Sequence, residues 1–456
     1  MSAYVMDSEL FRDQFSTPET RRIFSDRTTV QKWLDFELAL AQAEAELGMI
    51  PKSAAEEIAR ICDAELYDLA AMKAEMDRTS HPIVPLVRAM EEKCAKGNDA
   101  KGGSGIDAGG YIHWGATTQD VMDTGQILQI KEAWAAIAAD LEILTENLIS
   151  LAREHRTTPM AGRTHGQQAQ PITFGYKVAI WLDEVRRHQA RMSAAADRVF
   201  VGQFSGAVGS LAAIEENGLA VQTRMIDILG LKQPNICWHV ARDTMAEAAS
   251  VMAMLAGTMG KIAHEVYVMQ KTEVAELEEP MPPGKVGSST MPHKRNPAIC
   301  EGIVALAKAT KACLVPAFEN IVADHERDKI GLQAEREYVA RLHGMTHAAV
   351  KKVSFVTGGL NVRADNMRRN LDITGGLLLS EAVMMKLAPI IGRQEAHEIV
   401  YQPTQQAAID GQSMRDALMA SPEITSKLSE AEIDQLLDPA AYTGLCAAFV
   451  DRVLGD

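Results

Sequence analysis

Apolar side chains recur at Ile127, Ile130, Trp134, Ile137, Leu141, Leu144, Leu148 and Leu151, spaced by 3, 4, 3, 4, 3, 4 and 3 residues. This is a heptad seam, and it commits the segment to a long helix packed at a shallow angle against other long helices. From residue 127 to residue 151 such a helix extends roughly 36 Å at about 1.5 Å per residue. A second stripe runs through Met245, Met252, Leu255, Met259, Ile262, Val266 and Met269, and its methionines read as adaptable core fillers rather than a ligand box. Helical patterns also cover 172–199, 244–276, 298–318 and 321–356, so the centre of the chain is expected to hold about five long helices in an elongated bundle. Aromatic residues are only 5% of a chain that is 47% hydrophobic, a balance that favours helix over sheet. Few stretches alternate as strands do, and the expected fold class is all-α.

Breaks in the pattern divide the chain. An amphipathic helix is expected from Thr28 to Leu47, stopped by Gly48 with Pro51 just beyond. The run from Lys96 to Gly110 is rich in glycine, and Gly358-Gly359 with Asn361 to Asn366 forms another break. These predict an N-terminal helical domain over 1–110, a central bundle over 111–360 and a C-terminal domain of shorter helices over 361–456. The length of 456 residues fits two or three domains. A seam of this length on several helices also predicts a homo-oligomer whose central helices pack together.

Net charge is −15 with no long basic run, which argues against nucleic acid as a partner. An anionic substrate must then be held by a local cationic pocket. The cysteines at 62, 94, 237, 300, 313 and 446 form no CxxC pair, as expected of reduced thiols rather than a disulfide scaffold or a zinc site. The first residues lack the basic and apolar regions of a secretory signal, and no uncharged apolar run suffices to span a bilayer. A soluble cytoplasmic location is the expectation.

The densest polar chemistry lies at 284–297, Gly-Lys-Val-Gly-Ser-Ser-Thr-Met-Pro-His-Lys-Arg-Asn-Pro. Its glycines and prolines bar regular structure, and a mobile loop follows. Serines, a histidine, cations and an amide in so short a span suit gripping and deprotonating an anion. Two earlier polar breaks are Gly110-Tyr-Ile-His-Trp-Gly-Ala-Thr-Thr-Gln-Asp-Val-Met-Asp123 and Met160-Ala-Gly-Arg-Thr-His-Gly-Gln-Gln-Ala-Gln-Pro-Ile-Thr-Phe-Gly175.

In that order, the three stretches resemble the shared regions of the fumarase/aspartase superfamily. Its members include fumarase, aspartase, argininosuccinate lyase, adenylosuccinate lyase and 3-carboxy-cis,cis-muconate cycloisomerase. The resemblance runs from about residue 10 to the end of the chain. It implies a three-domain, all-α fold whose central long-helix bundle packs into a tetramer core. It also implies a homotetramer with active sites shared between subunits.

The chemistry of that family can be argued from physics. Removing a proton from the carbon beside a carboxylate leaves a doubly charged aci-carboxylate, which needs donors and fixed positive charge where the charge develops. Lys294, Asn296 and loop N–H groups are suited to supply them. A general base and a general acid in opposite protonation states are also required. By resemblance Ser288 is the base, activated only in a dry electropositive pocket, and His165 is the acid toward the leaving group. His113 and His81 resemble substrate-contacting histidines of the adenylosuccinate lyase branch. His81, in Ser80-His81-Pro82, also fits a locally packed helix start. Thr117, Thr118, Thr164 and Gln167 are candidates to hold carboxylate oxygens, although Thr164 and Gln167 fit helix-start capping equally. Glu301 fits either a histidine orienter or a helix-terminus charge.

Asp324-His-Glu-Arg327 and Arg336 resemble the segment that binds the nucleotide-bearing part of adenylosuccinate. Leu332 stands where that pattern has a serine, and a salt-bridged helix surface is the alternative for both arginines. Phe15-Ser-Thr-Pro, Ile23-Phe-Ser-Asp-Arg27, Gly375-Gly-Leu-Leu-Leu-Ser-Glu-Ala and Leu387-Ala-Pro-Ile-Ile-Gly-Arg-Gln-Glu-Ala-His397 are most similar to the muconate cycloisomerase group, whereas the Thr164-His165 pair is similar to the lyases. The resemblance therefore implies a small di- or tricarboxylate substrate. The expected reaction is β-elimination of an amine or alcohol from a succinyl group with release of fumarate. Cycloisomerisation of a carboxymuconate is the alternative, and a non-catalytic structural protein on the same scaffold is a second one. Proton abstraction beside a carboxylate can run on protein groups alone, so no metal or organic cofactor is expected.

Overall fold

The computed structural model describes residues 4–99 and 107–456. Residues 100–106 of the glycine-rich stretch expected to hold a domain boundary lie outside them. Helix makes up 68% of the chain, and the sheets among the described residues are two small two-stranded pairs. The all-α reading holds.

The long helices are Thr118–Glu154, Phe174–Val199, Asp243–Met269, Ala298–Ala312 and Lys329–Gly358. All eight residues of the 127–151 seam are buried within this single chain, as are all seven of the 245–269 stripe. Covering the seam therefore needs no second copy, which removes that ground for expecting an oligomer. Three helical segments are shorter than their patterns suggested. The third ends at Met269 rather than 276, where Ala275 takes a left-handed φ of 50° and Leu277–Glu278 turn into a short strand paired with Asn361–Val362. The segment from 298 breaks at Cys313 into Ala298–Ala312 and Leu314–Glu319, because Pro316 has no N–H for the Ala312 carbonyl. The last starts only at Lys329, where Asp328 Oδ1 accepts the Ile330 N–H at 2.8 Å.

The chain resolves into two compact units. The first comprises 1–140, 188–257 and 305–351. Its cores centre on Leu34, Ile58, Leu86 and Met90, and on Phe36, Leu40, Phe204 and Met225. Here the helix Asp26–Glu46 is capped by Ser25, whose side chain accepts the Thr28 N–H. The second comprises 141–187, 258–304 and 352–456, with cores around Val383, Leu387, Met414 and Leu418, and around Ala161, Leu371 and Leu379. No described helix is long and apolar enough to cross a membrane.

The polar break around Met160 to Gly175 is a β-hairpin of Pro159–Thr164 and Gln167–Thr173, with Thr164 opposite Gln167. His165 and Gly166, at φ 52° and 78°, form its two-residue turn. Positive φ at both positions is the geometry whose twist matches flanking antiparallel strands. Thr164 and Gln167 thus close a hairpin, and neither starts a helix.

Candidate active site

The first unit gathers one group of the expected residues. His113, itself left-handed at φ 61°, places Nδ1 2.7 Å from Glu37 Oε1. Burial alone would depress this imidazole, but the charge and hydrogen bond of Glu37, with Asp120 behind, raise its pKa above the ordinary value. His81 accepts the Val84 N–H at Nδ1, which leaves Nε2–H to donate to Thr118 Oγ1 at 3.1 Å. His81 thus takes the helix-start place expected of it, and the same ring joins a polar cluster. Burial, then Lys329, Arg327 and His113, hold its pKa below the ordinary value. Arg327 donates to Thr117 Oγ1 at 2.6 Å from a loop that precedes the 329–358 helix.

Beneath this cluster Asp120, fully buried, accepts the N–H groups of Thr117, Ser205 and Gly206 at 3.0–3.1 Å. It also meets His239 Nε2 at 2.8 Å. Beside it Arg242 bridges Asp123 at 3.0 Å and Glu335 at 2.8 Å, all three buried. A buried guanidinium with two carboxylates holds the 118–154 and 329–358 helices in register within this unit. Removing any one partner would strand charge.

Arg336 is placed apart from Thr117. It lines a cavity of about 310 Å³ with Trp33, Met76, Met122 and Val339, and partial burial there lowers its pKa although the residue as a whole stays exposed. Its polar contacts are Gln333 and the Met122 sulfur. Among the described residues neither Arg327 nor Arg336 has an ion-pair partner, so the salt-bridged-surface alternative falls for both.

The second unit gathers the rest. At the hairpin, Arg163 pairs with buried Glu276 through two hydrogen bonds of 2.7 and 2.9 Å, and Asn370 donates to the same carboxylate at 2.8 Å. This anchors the strand that presents Thr164, His165 and Gln167, all exposed. The signature loop, residues 284–297, is stapled at its base. Glu279 binds Lys285 near the loop's start and accepts the Ile299 and Cys300 N–H groups just past its end, at 3.1 and 2.9 Å. Glu278 holds Arg295 at 2.8 Å and also Arg363. Gly287 is required here: a Cβ would stand 2.3 Å from the Lys294 carbonyl oxygen. Ser288 Oγ accepts the N–H groups of Met291 and Thr290 at 3.0 and 3.3 Å. Lys294, Asn296 and Glu301 line an open cavity of about 730 Å³ with His293. Ser288 and His165 do not line it. Lys285 and Arg295 are neutralised by their glutamates, whereas Lys294 has no ion-pair partner among the described residues.

Sequence reasoning missed the carboxylates that orient these groups. Glu301 was the candidate histidine orienter, whereas the observed pairs are His113–Glu37, His239–Asp120 and His347–Asp140. The signals were present: Glu37 sits on the apolar face of its helix, and Glu278-Glu279 immediately precede the proline break. His343 and His347 stand four apart on one helix. Both ring nitrogens of each are already engaged, by Trp134 and Val339 and by Thr17 and Asp140. Among the described residues no group of three or more His, Cys, Asp or Glu is placed to hold a metal ion.

A lyase family model matches residues 12–311, and a model of the adenylosuccinate lyase C-terminus matches 376–453. The chain is a member of the fumarase/aspartase superfamily of enzymes. It is 40% identical over 454 residues to N-acetyl-S-(2-succino)cysteine lyase of Enterococcus italicus, covering 100% of this chain and 97% of that one. It is 40% identical over 450 residues to 3-carboxy-cis,cis-muconate cycloisomerase of Pseudomonas aeruginosa, covering 98% and 96%. The crystal structure of 3-carboxy-cis,cis-muconate lactonizing enzyme from Pseudomonas putida superposes with a TM-score of 0.91 at 38% identity, over 98% of each chain.

Proposed function

We propose that the chain is a lyase that eliminates a heteroatom leaving group from a succinyl-type substrate and releases fumarate. Ser288 removes the proton beside a carboxylate, His165 protonates the departing atom, and Lys294 with Asn296 holds the aci-carboxylate. The supporting observation is the pair of loop N–H donors on Ser288 Oγ: donors so placed favour negative charge on that oxygen, which a serine needs to act as a base. His81, His113, Thr117, Thr118 and Arg327 bind the substrate's carboxylates. The E. italicus relative, named for a succinated thiol, widens the leaving group from amine or alcohol to thiol. We place the enzyme in the cytoplasm as a homotetramer with shared sites.

The test is a fumarate-release screen over succinyl-amines, succinyl-ethers and succinyl-thioethers. Ser288→Ala should lose about a thousandfold or more in kcat, and wild-type turnover in that variant sinks the assignment. The cycloisomerase reading is favoured by the match to the P. aeruginosa enzyme. Consumption of 3-carboxy-cis,cis-muconate without fumarate would decide for it.

A further inference from the structure

Two residues beside Asp120, His239 and Cys237, are not used by this chemistry. His239 gives Nε2 to Asp120 at 2.8 Å, and its other ring nitrogen, Nδ1, has no hydrogen-bond partner among the described residues although the side chain is buried, at 1% exposure. Cys237, two residues earlier, is the thiol that acts on that ring, although no hydrogen bond of good geometry joins it to Nδ1. The thiol is pinned from the other side by Gly209, where a Cβ would lie 2.9 Å from the sulfur. Cys237 is partly open, next to Ile236 at 78% exposure.

We propose that Cys237, His239 and Asp120 form a nucleophilic thiol site that captures small electron-poor alkenes. His239 Nδ1 takes the thiol proton. The sulfur lone pair forms the S–C bond at the alkene's β-carbon, the π pair moves to the α-carbon, and that carbon takes the proton back from the imidazolium. The sum is an addition: nothing leaves and nothing is oxidised. Asp120 fixes the ring and balances its charge, as expected where a thiolate must form beside a histidine. Charge supports the geometry. Burial pushes up the thiols of Cys62, Cys94, Cys300, Cys313 and Cys446. At Cys237 burial is again the largest influence and acts upward, but the His239 ring, its N–H and the Ser205 hydroxyl outweigh it and bring the thiol down. Burial likewise opposes charge on His239, yet Asp120 and Cys237 push it up to about 9. The inference does not depend on the lyase reading.

N-ethylmaleimide, added to the full chain at neutral pH and followed by peptide mapping, tests it. Cys237 should be labelled first, and about tenfold faster in the folded chain than in urea. Equal or slower labelling in the folded chain, or another cysteine reacting first, overturns it. His239→Gln should slow the labelling at least fivefold, roughly what loss of the thiolate fraction gives, and an unchanged rate in a folded variant overturns the triad. Should that variant not fold, the wild-type rate profile decides. A half-maximal rate below about pH 8 supports a stabilised thiolate, and one at or above the ordinary thiol value of about 8.5 refutes it.

Discussion

Glu279→Ala should loosen the signature loop without dismantling the fold. In the structure one buried carboxylate accepts two backbone N–H groups, at Ile299 and Cys300, and neutralises Lys285. Each N–H bond contributes about 1 kcal/mol and the stranded ammonium about 1 more, so the variant loses about 3 kcal/mol. Because all three contacts tie the ends of one loop, the loss falls on local opening, which should rise roughly 150-fold. Hydrogen exchange of the Ile299 and Cys300 amides reads this directly, and limited proteolysis within 285–296 should quicken in parallel. Turnover should fall, because Ser288 and Lys294 ride on the loop. Glu279→Gln keeps an acceptor but loses the charge and should land between. Wild-type exchange at both amides in Glu279→Ala would refute the staple.

The remaining expectations are narrower. Glu44 is fully buried, both its oxygens lack hydrogen-bond partners among the described residues, and burial with the Glu37 charge pushes its pKa from 4.5 up to about 8. An acid whose folded value is raised binds its proton more tightly when folded; its favourable contribution is complete below 4.5 and is lost as pH rises through 8. Glu44→Met should therefore gain stability over wild type progressively across that window in urea unfolding, and a pH-independent difference would contradict the burial. Arg327→Met should raise KM about 10- to 100-fold, the worth of a charge-assisted contact, with a smaller change in kcat. His165→Asn retains a residue that tolerates φ of 52°. It should cost about a hundredfold on amine leaving groups and distinctly less on thiols, which leave more readily as anions; equal losses on both would remove His165 as the acid.

The long helices were legible because their burial is periodic: the 127–151 seam and the 245–269 methionine stripe are core throughout. Their ends were not, because Pro316 and the Asp328 cap act locally against patterns that run past them. The hairpin was missed for a similar reason. Its strands carry Arg163, Gln168 and Gln170, side chains committed to Glu276, Asn370 and Glu381, so no apolar alternation betrays it. Polar breaks marked the candidate site residues, but their partners lie far along the chain. Asp120 meets His239 across 119 positions, and Glu37 meets His113 across 76. Only folding brings such pairs together, and each glutamate taken singly reads as one more charge on a helix.

The left-handed backbone at His113 and His165 narrows the mutational routes open to these positions. Asparagine, aspartate and glycine bear φ near +60° with least penalty, and β-branched residues bear it worst. None of the three easy replacements exchanges a proton near neutrality. With His165 as the proposed acid, a lineage that gives up imidazole there keeps the turn's shape while surrendering the proton donor, and its reaction is expected to shift toward leaving groups that need no help.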